Sequence, residues 1–208
     1  MRTGAQDFYP SMKNHGDRDV FISTISTPIG EMLVLETLKG ICLLEFVDRK
    51  GLDREVQVLL RKNRGRLIEG GHNFHTLLSK ELEAFFHNSC FSFSVPLDIW
   101  GSDFQKKVWK TLIGIPVGKT RTYSQVAEAI GNPTAVRAVG NANARNPIAI
   151  VIPCHRLIGA DGSLTGYGGG IWRKEWLFQH ERKHSNLTES DQLCEKLKVR
   201  QYTSCPDK

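Results

Sequence analysis

Residues 122–133 read Thr122-Tyr123-Ser124-Gln125-Val126-Ala127-Glu128-Ala129-Ile130-Gly131-Asn132-Pro133, and an alanine-rich stretch follows as far as Arg145. Thr122 and Gln125 stand as N-cap and N3 of a capping box, which opens a short helix through Val126, Ala127 and Ile130. Gly131 closes that helix. Asn132 caps a second one, with Pro133 at its first position, expected to run to about Asn143. Two short helices one tight turn apart predict a helix-turn-helix. The second helix is slim, because Ala135, Ala138, Ala142 and Ala144 line it and Gly140 lies among them. Arg137 and Arg145 add charge, and Asn141 and Asn143 add hydrogen-bonding groups. Such a helix can approach a nucleic-acid backbone closely or enter a narrow groove. The same alanines would also let it pack closely on its own protein.

Upstream, Ser102 and Gln105 form another capping box, followed by an apolar stripe of Phe104, Val108, Leu112 and Ile113. Ile115-Pro116-Val117-Gly118 ends that helix. Downstream, Asn146-Pro147-Ile148-Ala149-Ile150-Val151-Ile152-Pro153 reads as an extended apolar run leading into Cys154-His155-Arg156. A thiol reacts as its thiolate and ordinarily keeps its proton to about pH 8.5, so a nucleophilic cysteine needs help from its surroundings. A neighbouring base or cation is the usual device, and here His155 and Arg156 follow at once. Neighbours on an extended chain face opposite sides, so the proton is expected to reach His155 directly or through a water. A buried structural cysteine is the commoner fate of a free thiol; the Pro-Cys-His-Arg tetrapeptide turns the reading toward chemistry.

The N-terminal half alternates differently. Val20-Phe21-Ile22, Met32-Leu33-Val34-Leu35 and Ile41 to Val47 read as strands, with Pro28-Ile29-Gly30 and Lys39-Gly40 as the turns of an antiparallel meander. Leu52, Val56, Leu59 and Leu60 recur at helical spacing, as do Phe74, Leu77, Leu78, Leu82, Phe85 and Phe86. Phe91 to Ile99, interrupted by Pro96, is a connection. The sequence thus divides into a flexible leader (1–19), an α/β domain (20–97), a mainly helical domain (98–183) and a polar tail (184–208).

The chain carries 28 Lys/Arg and 22 Asp/Glu. Residues 101–183 hold 12 of the former and 5 of the latter, so the whole basic excess lies in the helical half. Localised positive charge points to a polyanionic partner. Five cysteines at wide spacings, with no Cys-x-x-Cys pair, argue against a disulfide framework and a structural zinc site. No stretch is long and apolar enough to span a bilayer, and the first residues lack the apolar core of a signal peptide. The expected location is the cytoplasm, or the nucleus if the source is eukaryotic.

Taken together, Pro153-Cys154-His155-Arg156, Asn132-Pro133 with Val136-Arg137-Ala138-Val139-Gly140, Thr122-Tyr123, Gly166-Tyr167-Gly168-Gly169, and Lys174-Glu175-Trp176-Leu177 with His180-Glu181 resemble the O6-alkylguanine-DNA alkyltransferase family. The resemblance runs from about Pro96 to Glu181. It implies a mixed α/β (α+β) fold: an N-terminal ribonuclease H-like antiparallel-sheet domain and a C-terminal helix-turn-helix, winged-helix-like domain. It implies that Cys154 takes an alkyl group from guanine O6, with O4-alkylthymine a further substrate. His155 would act as base through a water, and Glu181 would orient it, a relay similar in logic to a protease triad. Asn146 would organise the turn before Cys154, Tyr123 would donate to the purine, and Lys174 would sit at the same end of the pocket. Pro153, Leu157, Tyr167 and Gly168 would line that pocket. Arg137 would replace the flipped base, and Ala135, Ala138, Asn132, Arg145 and Tyr123 would lie on the DNA.

The implied partner is duplex DNA containing O6-alkylguanine, met by a monomer without metal or cofactor and consumed in one turnover. Gly168 and Gly169 depart from members with polar or basic side chains there, a difference that bears on pocket width. A DNA-binding module without chemistry, and a cysteine hydrolase built on Cys154 and His155, are the alternative readings.

Overall fold

The computed structural model describes residues 18–63 and 65–184. The expected leader and tail, with Cys194 and Cys205, fall almost wholly outside the described residues. Arg18 and Asp19, assigned to the leader, instead open the first strand, and His184, assigned to the tail, ends the last helix.

The predicted meander is present as β1 (Arg18–Thr27), β2 (Gly30–Thr37) and β3 (Gly40–Phe46), paired antiparallel. Gly30 takes φ +127, a conformation that L side chains rarely adopt, and this lets Pro28-Ile29 turn the chain in two residues. The sequence reading missed β4 (Gly65–Glu69), which pairs parallel to β1 and gives the order β3-β2-β1-β4. Its apolar content is too small for a period to register.

Side chains along β2 alternate between two cores. Met32 and Val34 join one, and Leu33 and Leu35 the other. Helix α1 (Leu52–Asn63) covers the second face with Leu52, Val56 and Leu60. Helix α2 (His75–Phe86) packs Leu78, Leu82 and Phe85 on the first, while Leu77, assigned to the same stripe, is exposed. Burial on both faces is why β2 and β3 read as nearly unbroken apolar runs. Buried Glu36 of β2 accepts N–H donors from His72, Phe74 (2.8 Å) and His75 (3.2 Å), placing a carboxylate at the start of α2.

In the C-terminal half both capping boxes form, Ser102 with Gln105 opening α3 (Asp103–Ile113) and Thr122 with Gln125 opening α4 (Tyr123–Ala129). Helix α5 (Val136–Ala144) starts later than expected. Asn132 and Pro133 do not cap it; they belong to a turn in which Ala135 N–H reaches the Asn132 carbonyl (3.0 Å) and Thr134 Oγ1 bonds Asn132 Oδ1 (3.1 Å). Two short parallel strands, β5 (Arg121–Thr122) and β6 (Leu157–Ile158), add a small wing, and α6 (Ile171–His184) closes the described chain.

The largest correction concerns residues 146–153, expected to be an extended run. They form a series of tight turns in which Ile150 takes φ +70. Asn146 explains the departure. Its Oδ1 accepts from Ile148 N–H (3.1 Å), and its Nδ2 donates to the Ile152 carbonyl (2.8 Å), folding the apolar residues back on themselves. The turn docks on the edge of β3: Leu44 N–H donates to the Pro147 carbonyl, and Ala149 N–H donates to the Leu44 carbonyl, both at 2.8 Å.

Candidate active site

Cys154 begins a single 3-10 turn, Cys154–Arg156, that leads into β6. It is 6% exposed, so its sulfur does not stand on an open surface. Burial pushes the thiol up to about 11. The Asn146 amide pulls it back, the charge of Glu45 pushes it further up, and the charge of Lys174 lowers it. The ground state of this cysteine is a thiol, and a group that accepts its proton is required.

His155 is fully buried, and its Nε2 lies 2.7 Å from Glu181 Oε1. Burial lowers the imidazole pKa against the opposing pull of Glu181, and the charges of Arg156 and Lys174 lower it further. Glu181 is equally buried. Burial opposes its charge, yet Arg156 and His155 more than offset that penalty and hold the carboxyl well below the usual carboxylate range. An ionised carboxylate only accepts, so Nε2 carries the proton in the neutral ring and Nδ1 keeps the lone pair. Nδ1 is buried without a side-chain or backbone partner among the described residues.

Arg156 does not turn toward the cysteine as a nearby cation. Its Nε lies 2.9 Å from Glu181 Oε2, its Nη2 2.9 Å from Oε1, and its Nη1 donates to the Ile115 carbonyl. Gly118 N–H adds a fourth donor at 3.1 Å. The role of Arg156 as partner of Glu181 was missed because a separation of 25 positions hides the pairing.

Lys174, also fully buried, donates to the Thr165 carbonyl at 2.6 Å, and burial lowers its ammonium to about 8. Tyr123, the first residue of α4, donates its hydroxyl to the same carbonyl at 3.3 Å. These two residues, 51 positions apart in sequence, meet at one backbone oxygen. Pro153 and Leu157 are buried on either side of the 3-10 turn, Tyr167 is half-buried with its hydroxyl enclosed, and Gly168 is exposed. Glu45 was also missed. It lies at the end of β3, almost completely buried, where burial pushes its carboxyl up to about 7. A charge inside the apolar run Ile41–Val47 was the available signal.

On α5, Arg137, Ala138, Asn141, Ala144 and Arg145 are exposed, while Val139, Ala142 and Asn143 face inward. Trp109 Nε1 donates to the Ala142 carbonyl at 2.9 Å. The two uses of the alanines therefore divide by face: Ala142 gives close packing, and Ala138 keeps the outer surface low. Asn132 is exposed at the start of the turn before α5, and Ala135 is half-buried at its end.

Comparison with known proteins agrees with this architecture. Residues 103–183 match the model of the 6-O-methylguanine DNA methyltransferase DNA-binding domain, and residues 20–99 match that of the ribonuclease-like domain of the same proteins. The methylated-DNA–protein-cysteine methyltransferase of Methanosarcina barkeri is 44% identical over 79% of this chain and 99% of its own length. The Mycobacterium leprae protein of the same name is 53% identical over 79% of this chain and 93% of its own. Among solved structures, Mycobacterium tuberculosis O6-methylguanine methyltransferase is 38% identical, with a TM-score of 0.70 over 82% of this chain and 98% of that one. The DNA complex of the M. tuberculosis protein gives 0.67 over 80% and 94%. The chain belongs to the methylated-DNA–protein-cysteine methyltransferase family.

Proposed function

We propose that this protein repairs DNA by direct reversal, moving one alkyl group from guanine O6 in duplex DNA to Cys154. The observation that carries the proposal is the buried pair that follows the cysteine in the same 3-10 turn: His155, whose Nε2 is held 2.7 Å from Glu181 Oε1, with Glu181 kept in its ionised form. In the reaction His155 Nδ1 takes the thiol proton, directly or through a water, and Sγ attacks the alkyl carbon. The S–C bond forms as the C–O6 bond breaks, and its electron pair stays on the guanine, which takes up one proton to leave as a neutral base. Tyr123 and Lys174, which meet at the Thr165 carbonyl, would serve as donors to the purine. Pro153, Leu157, Tyr167 and Gly168 line the pocket, and Asn146 holds the turn that presents the sulfur.

The target atom is inside the duplex, so its nucleotide must leave the stack, at a cost of a few kcal/mol. Arg137 projects from the outer face of α5 and fills the gap, while Ala135, Ala138, Asn132 and Arg145 form a low, basic surface suited to a groove only ~6 Å wide. The thioether product is stable, so each molecule acts once, as a monomer on DNA. No helix of the described residues is long and apolar enough to cross a membrane; the site of action is the compartment that holds the DNA, cytoplasm in a prokaryote and nucleus in a eukaryote.

The test is incubation with duplex DNA carrying O6-methylguanine, followed by mass measurement of the protein. One methyl on Cys154, at most one turnover, and none in Cys154→Ala is the expected result. Repeated turnover, or methyl on another residue, overturns the proposal.

A further inference from the structure

Loop 165–170 has little regular structure of its own and carries Tyr167, which is close enough to Cys154 to interact with it electrostatically; side chains from outside hold the loop. Lys174 and Tyr123 bond its first carbonyl, at Thr165. Its far end is held by Arg173, the residue before Lys174 on α6, whose Nη1 donates to the Gly169 carbonyl at 2.8 Å. Arg173 is itself buried, and the other hydrogen bonds of its guanidinium reach the N-terminal domain. Nε donates to the Ile29 carbonyl in the β1–β2 turn at 2.8 Å, and Nη1 and Nη2 grip the Asp48 carboxylate at 2.8 and 2.9 Å. Its guanidinium lies 4.1 Å from the centre of the Phe46 ring.

The glycines fit this contact. A Cβ on Gly169 would come within 2.6 Å of the Phe46 ring, and one on Gly30 within 2.7 Å of Arg173 Nη2. On Gly168 it would fall 2.8 Å from Arg49 Nε, on a side chain paired with Glu45 (3.3 Å) and Glu55 (2.5 Å). The glycines at 168 and 169 are the space into which the N-terminal domain fits.

We infer that Arg173 is a positioning residue for the transfer reaction: it fixes the Tyr167 loop to the N-terminal sheet, so that Asp48, Phe46 and the β1–β2 turn set how wide the alkyl pocket opens. A planar fork that bonds three separate chain segments transmits position as a lysine could not. The inference rests on the reading of Tyr167–Gly169 as the pocket wall.

Free O6-benzylguanine tests it, because this probe fills the pocket without needing DNA. Apparent affinity (KI) and maximal rate (kinact) are measured separately for the full chain, Arg173→Ala, Arg173→Lys and Asp48→Ala, with thermal unfolding on the same samples. In Arg173→Ala, KI should rise about tenfold, the loss expected when a charge-assisted hydrogen bond to the loop is removed, while kinact stays within about twofold. Arg173→Lys should share most of that rise. Asp48 is largely exposed, so Asp48→Ala should fold normally and raise KI by about threefold, which keeps the test decisive if Arg173→Ala does not fold. Unchanged KI in a folded variant, or a fall in kinact alone, overturns the positioning role and leaves the alkyl-transfer reading intact. Failure of the unaltered protein to place benzyl on Cys154 overturns both.

Discussion

Arg156 occupies the side of Glu181 that His155 leaves open, so one carboxylate carries a base on one oxygen and a guanidinium fork across both. The three groups are almost completely buried, and none can be removed without stranding another. Breaking a buried pair by deleting one partner commonly costs about 3–5 kcal/mol. Glu181→Gln should lose stability in that range at pH 7, measured by urea unfolding, and should transfer alkyl groups far more slowly. The Glu181 carboxyl is held below its unfolded value, so its contribution is complete above about pH 4.3 and fades as acid approaches the folded value. The difference between variant and parent should shrink in the same direction.

Lys174 presents the opposite sign. Burial lowers its ammonium to about 8, so the folded state binds that proton less tightly than the unfolded chain, whose lysine titrates near ~10.4. The penalty is complete below pH 8 and disappears as pH rises toward the unfolded value. Lys174→Met should therefore raise the melting temperature at pH 7 by a few degrees, with the gain vanishing near ~pH 10, while alkyl transfer slows. A lower melting temperature at pH 7 would contradict this account of the buried charge.

Glu45 lies near the thiol, and its charge raises the thiol pKa. Its own carboxyl ionises at about 7, so the effect should be switched on with rising pH. Glu45→Gln should accelerate reaction with O6-benzylguanine a few-fold at pH 8 and leave it nearly unchanged at pH 6. Rate profiles from pH 5.5 to 9, chosen to bracket that ionisation, measure this directly; parallel profiles would show that Glu45 does not act on Cys154.

Arg137 stands exposed in the first turn of α5. Arg137→Ala should leave stability within about 0.5 kcal/mol of the parent, as surface substitutions usually do. Repair of an O6-methylguanine duplex should slow roughly tenfold or more, while reaction with free O6-benzylguanine should hardly change. Equal losses on both substrates would remove Arg137 from any part in base displacement.

What the sequence disclosed and what it hid divide along physical lines. Capping boxes at Ser102 and Thr122 were legible because both partners lie within one turn. The meander was legible because β2 and β3 are buried on both faces and concentrate apolar residues. Helix α6 was not read as a helix, although some of its residues were named as a motif. Its inward face carries Arg173, Lys174, His180 and Glu181 around Leu177, so no apolar stripe marks it. The turn at 146–153 was misread as a strand because its residues are apolar and branched, and the single side chain that folds it, Asn146, leaves no periodic trace. Cys154 and His155 stood out in the tetrapeptide itself. Glu181 stood out only through resemblance, and Glu45 was signalled only as a charge in an apolar run. Asp48 and Arg49 could emerge only once two distant segments were seen side by side.

The pairing of Leu44 with Ile148 has a consequence for dissection of this protein. The reactive turn borrows its outer support from a strand that belongs to the other half of the chain. Cutting near residue 98 would leave β3 with an unprotected edge and would uncover Ile148 and Ala149 on the helical fragment. Each piece would then carry an adhesive border matched to the other. Separately expressed halves should be prone to self-association and, when mixed, should recombine into a competent whole.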